Sequence, residues 1–78
     1  MSEINAQTVE QWRDSLSAIK SKIKSSPYSS DLHLRKAAIS IELHEWDDAM
    51  EEYNYVLGRD SVNLAALFYR AYVNNKMQ

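Results

Sequence analysis

Seventy-eight residues with a net charge of −2, one glycine, one proline and no cysteine leave room for a single small domain of about four average helices and exclude a disulfide or thiolate-metal scaffold. So little glycine and proline makes a sheet of tight hairpins hard to build, and short helix connections are expected instead. The charge is too small to point to nucleic acid or an anionic membrane surface, and no run approaches the roughly 18 apolar residues a membrane span needs.

The chain opens without a charged segment leading into a long apolar stretch, so it reads as soluble and without a signal peptide. Ile4, Asn5, Ala6 and Gln7 are similar to the small-residue tail around a bacterial signal-peptide cleavage site. That would place a parent protein in a cell envelope; the sequence leaves localisation otherwise open.

From Val9 the apolar residues Trp12, Leu16, Ile19 and Ile23 recur at spacings of three and four, which predicts a first helix from Thr8 to Lys24. Thr8 is its expected N-cap, and Lys20, Lys22 and Lys24 suit the negative end of the helix dipole. The segment Ser25, Ser26, Pro27, Tyr28, Ser29 and Ser30 reads as a loop, because a proline disfavours helical geometry at the residue before it. Between Asp31 and Leu43 the pattern is mixed: Leu32 and Leu34, then Ile39, Ile41 and Leu43, alternate as in a strand, while Ala37 and Ala38 favour a helix. A match to the segment from Leu67 to Met77, 34 positions later, decides for helix. A third helix is expected to carry Trp46, Ala49, Met50, Tyr53, Val56 and Leu57 inward and Asp47, Asp48, Glu51 and Glu52 as a solvated acidic face. Gly58 is expected to close it in the left-handed conformation, and Asp60 or Ser61 to cap a fourth helix running to about Met77.

The same offset of 34 joins Trp12 to Trp46, Ile19 to Tyr53, Ile23 to Leu57, Lys36 to Arg70, Ala37 to Ala71, Ile39 to Val73 and Leu43 to Met77. Self-similarity at a fixed period marks a helical repeat. The stretch around Leu34-Arg35-Lys36-Ala37, Leu43-His44-Glu45-Trp46-Asp47-Asp48-Ala49, Tyr53 and Asp60 to Asn63 resembles a tetratricopeptide repeat, the 34-residue helix-turn-helix unit. His44 stands where that family commonly has a turn glycine, Ser61 where it has proline and His33 where it has an aromatic residue. The resemblance implies an all-α chain of antiparallel helix-turn-helix repeats, about four helices stacked as a short α-solenoid fragment. Residues 8–29 would be a degenerate half repeat with a helix of the second type, 30–63 a full repeat and 64–78 the first helix of a following repeat. On this reading the chain is the N-terminal piece of a longer array.

In the resembled family the first helices of successive repeats line a concave groove for peptides. The positions this assigns are Asp31, Arg35, Ala38 and Glu42, then Ala65, Tyr69, Tyr72 and Lys76. Arg35, Ala38, Tyr69, Tyr72 and Lys76 are the candidate peptide-binding residues. Tyr69 and Tyr72 are one helical turn apart and, with Phe68, offer rigid amphipathic contact area, while Arg35 can grip a carboxylate with two hydrogen bonds. The competing reading is that these rings pack on a further helix. The family's clamp for chaperone C-termini uses lysine and asparagine where this chain has Leu34, Ala38, Phe68 and Tyr72, which argues against that ligand.

Catalytic and metal readings find no support in the pattern. His33 and His44, placed on one helical segment, would be about three turns apart, too far to share a metal unaided. His44-Glu45 lacks the second histidine of a zinc-protease helix, and one glycine cannot build a phosphate loop or a nucleophile elbow. The expectation is therefore a protein-interaction scaffold with a protein or peptide partner, no cofactor, no metal, no catalytic residue, no nucleic acid and no membrane insertion. The alternatives are self-association through an uncovered last helix, since fewer than about three repeats are rarely stable alone, and an accessory domain of a larger cell-envelope or enzyme system.

Overall fold

The computed structural model describes residues 8–78, and the expectation attached to Ile4, Asn5, Ala6 and Gln7 lies outside the described residues. Four helices, α1 (Val9–Ser25), α2 (Ser30–Glu42), α3 (Trp46–Arg59) and α4 (Leu64–Lys76), account for the regular structure, with no strand among the described residues. None is long and apolar enough to cross a membrane.

Local chemistry sets each boundary. Thr8 caps α1 through a reciprocal pair: its Oγ1 accepts from the Gln11 N–H (3.1 Å), and its own N–H donates to Gln11 Oε1 (2.9 Å). The helix ends at Ser26, where the following proline forbids continuation. Ser29 caps α2 by accepting from the Leu32 N–H, and Asn63 caps α4 by accepting from the Ala66 N–H. The caps Ser29 and Asn63 are 34 positions apart, and so are the first and last residues of the two helices and the C-caps Ser26 and Asp60 of α1 and α3. The period seen in side chains is thus also a period of backbone termini.

Several expectations are corrected. Asn63, rather than Asp60 or Ser61, caps α4; Asp60 Oδ1 instead faces the Val62 N–H inside the turn. Gly58 does not close α3 in the left-handed conformation: the helix runs through it to Arg59, and no glycine has positive φ. The left-handed residue is His44, with φ 58°, which lies beyond the end of α2 rather than on the same helix as His33. Its N–H donates to the Ile41 carbonyl (3.0 Å) and the Glu45 N–H to the Ser40 carbonyl (2.8 Å), the paired bonds that close a helix around a left-handed residue.

Packing radiates from α2, which touches α1, α3 and α4, whereas α1 makes no close approach to α3 or α4. Leu16 and Ile19 of α1 bury against Ile39, flanked by Trp12, Ile23, Leu32 and Leu43. On the other side Ala37, Ala49, Tyr53, Val56, Ala66 and Val73 form the main core. Ala37 and Ala49 are fully buried and project only a methyl group each, so α2 and α3 approach closely around the Tyr53 ring. The strand-like alternation of α2 now has its reason: Ile39 faces α1 while Leu34 and Ile41 pack toward α3 and α4, so the helix is apolar on opposite sides.

Candidate functional site

The side chains expected to bind a partner divide among three places. Ala38 and Glu42 of α2 meet Ala65 and Tyr69 of α4 across a groove of about 260 Å³ that Leu34, Ile41 and Tyr53 complete. Ala38 and Ala65 are both exposed, so the groove is open and has small residues on both helices. Its aromatic part is a near-parallel pair, Tyr53 and Tyr69, with ring centroids 6.3 Å apart and planes 16° apart. Glu42 is the one charged side chain lining it.

Arg35 is elsewhere: it forms an ion pair with Asp31 one turn earlier (3.0 Å), so its guanidinium is already engaged on the surface. Lys76 sits with its ammonium 5.4 Å from the centroid of Tyr72, a cation–π contact that ties two other candidates to one another rather than to the groove. Lys76 also borders a wider hollow of about 550 Å³, together with His44, Trp46, Asp47 and Asp48. Of the five favoured residues, then, the fold brings Ala38 and Tyr69 together and leaves Arg35, Tyr72 and Lys76 outside that groove.

Burial, with like-charge repulsion from Tyr69 as the lesser cause, pushes the Tyr53 hydroxyl up from 10.0 to about 12. Tyr53 is 2 % exposed and belongs to core and groove at once. It anchors α3 between α2 and α4 while also lining the groove.

A second constellation was not anticipated. Glu52 is buried, not part of a solvated acidic face: its carboxylate receives His33 Nδ1 (2.5 Å) on one oxygen and Lys36 Nζ (2.5 Å) on the other. The His33 Nε2 donates to the Pro27 carbonyl (2.7 Å), which Tyr55 Oη also reaches at 3.3 Å, and the His33 and Tyr55 rings pack 4.2 Å apart. The Pro27 carbonyl can only accept, so Nε2 carries a proton, while Nδ1 and the Glu52 carboxyl share one hydrogen bond. The cluster ties the α1–α2 loop to α3 and is internally satisfied, which marks it as a structural tie. The spacing of Glu52 on α3 held a signal: it directly precedes inward Tyr53 and lies three residues after Ala49, which places it at the margin of the inner face.

No group of three or more metal-ligating side chains gathers among the described residues. Comparison with protein-family models, curated proteins and solved structures returns no match.

Proposed function

We propose that the chain is a tetratricopeptide-like segment whose groove between α2 and α4 binds a peptide or protein segment. The observation that carries the reading is the groove itself: two exposed alanines, Ala38 and Ala65, on facing helices beside the stacked Tyr53 and Tyr69 rings. Such a site suits an apolar side chain inserted between the alanines, with the rings as rigid anchors at low entropic cost. Glu42 supplies a carboxylate for a cationic neighbour of that side chain. The recurrence of helix limits and caps at 34 positions supports the repeat reading behind this proposal.

Selection from a random peptide display library on the immobilised chain tests it. Bound peptides should share an apolar residue next to lysine or arginine, and Ala38→Trp or Ala65→Trp should fill the groove and weaken them at least about tenfold without lowering the melting temperature. Peptides that bind both tryptophan variants as tightly as the parent chain would refute the assignment.

A further inference from the structure

The groove between α2 and α4 is bordered by charge in a definite order. We infer that its ligand is dipolar: an extended peptide segment with an apolar anchor between Ala38 and Ala65, a basic residue towards Glu42 and an acidic residue towards Arg35. The inference rests on the peptide-binding reading of that groove and adds the order of charges along it.

Helical geometry sets the spacing. Arg35 and Glu42 are seven residues apart on α2, which is about two turns, so they share one stripe with Ala38 between them. Along the helix axis they are about 10.5 Å apart. An extended chain covers that distance in about three residues, at about 3.3 Å each. Across the groove α4 contributes Ala65 and Tyr69, so α2 alone supplies the charges that order a ligand.

Both charges have capacity for a ligand. Glu42 lines the groove and makes no ion pair with a described residue. Arg35 meets Asp31 through Nε at 3.0 Å, with the two side chains 58 % and 70 % exposed, and a pair so open to water contributes little. The terminal nitrogens carry most of the guanidinium N–H groups, and that edge can grip a ligand carboxylate while Nε stays on Asp31.

More chain in the same register would not fill the groove. The helix after α2 packs against buried Ala37, and the residue 34 positions later is Ala71, roughly half a turn round α4 from Tyr69. A helix following α4 in that register covers Ala71 and leaves Ala65 and Tyr69 open, so the groove is left for a ligand.

The probes are two fluorescein-labelled peptides, one holding Glu-Ala-Leu-Lys and one holding the same residues in reverse, so that either chain direction is covered. Each is paired with a version in which Gln replaces Glu, and all are titrated into the full chain at low salt with fluorescence anisotropy as the readout. The dipolar peptide that binds better should lose about fivefold in affinity when its Glu becomes Gln. Arg35→Gln in the chain should bring the same loss for that peptide and leave its Gln version unchanged. A chain carrying both Arg35→Glu and Glu42→Lys, with its helicity checked by circular dichroism, should prefer the order that the parent chain disfavours. Equal binding of the Glu and Gln peptides, or a preference unmoved by the double reversal, overturns the charge order while leaving the groove as a peptide site. Failure of both orders to bind the parent chain also overturns the inference, and the display selection then decides the groove reading separately.

Discussion

His33 of α2 and Glu52 of α3 meet through a 2.5 Å contact between Nδ1 and Oε1, both side chains about nine-tenths shielded from solvent. Removing one partner leaves the other polar group buried and unpaired, so Glu52→Ala should destabilise the fold by about 3 kcal/mol or more in urea unfolding. A double-mutant cycle with His33→Ala should show a coupling of at least about 1 kcal/mol. Additive losses would show that the contact contributes nothing of its own.

Tyr53 fills the space left by Ala37 and Ala49. Tyr53→Ala should cost about 3 to 5 kcal/mol, whereas a loss below about 1 would contradict its place in the core. Its hydroxyl adds a pH dependence of known sign. The folded chain holds this proton up to about pH 12 and the unfolded chain only to about 10.0, so the stabilisation is present below pH 10 and is lost as pH rises from 10 to 12. Subtracting the unfolding free energies of Tyr53→Phe from those of the parent chain across that window should give a difference falling with pH.

His44 takes a conformation that side chains with a Cβ rarely adopt, at φ 58°. Its ring recovers part of the cost by stacking on Trp46, with centroids 5.1 Å apart. His44→Gly should raise stability by about 0.5 to 1 kcal/mol, and His44→Val should lower it by about 1 kcal/mol or more, since a β-branched residue tolerates this region worst. Thermal unfolding of the three chains would check the order.

Gly58 lies inside α3 with nothing within 4 Å of where a Cβ would project. Gly58→Ala should therefore stabilise by up to about 1 kcal/mol, because alanine loses less backbone entropy in a helix. Destabilisation by that substitution would restore the left-handed role that the sequence pattern suggested for this glycine.

The helices themselves were legible because helix formation leaves a period in the apolar residues and a cap at its start. Thr8 and the stripe from Trp12 to Ile23 needed nothing further. Gly58 misled because glycine signals freedom without saying that it is used; the chain continued in helical geometry to Arg59, and the left-handed turn fell to His44. Glu52 misled because residue type usually predicts exposure for a carboxylate, and only the three-dimensional approach of His33 and Lys36 reverses that. For the groove, helical spacing could put Ala38 on one surface and Tyr69 on another. It could not say that Arg35 would turn to Asp31 or that Lys76 would cover Tyr72, since both choices are local pairings of long flexible side chains.

Among the helices α1 packs closely only on α2, with a surface ion pair from Arg13 to Glu45 at the start of α3, and this gives the molecule a graded resistance to opening. Only Leu16 and Ile19 of α1 are buried, and peeling that helix away exposes Ile39 while leaving Ala37, Tyr53, Val56 and Val73 enclosed. Amide protons of α1 should thus exchange with solvent through a partial opening, at a free energy below that of global unfolding, while those beside Tyr53 and Val56 wait for the whole chain to unfold. One end of the chain can come loose and return while the groove between α2 and α4 keeps its shape.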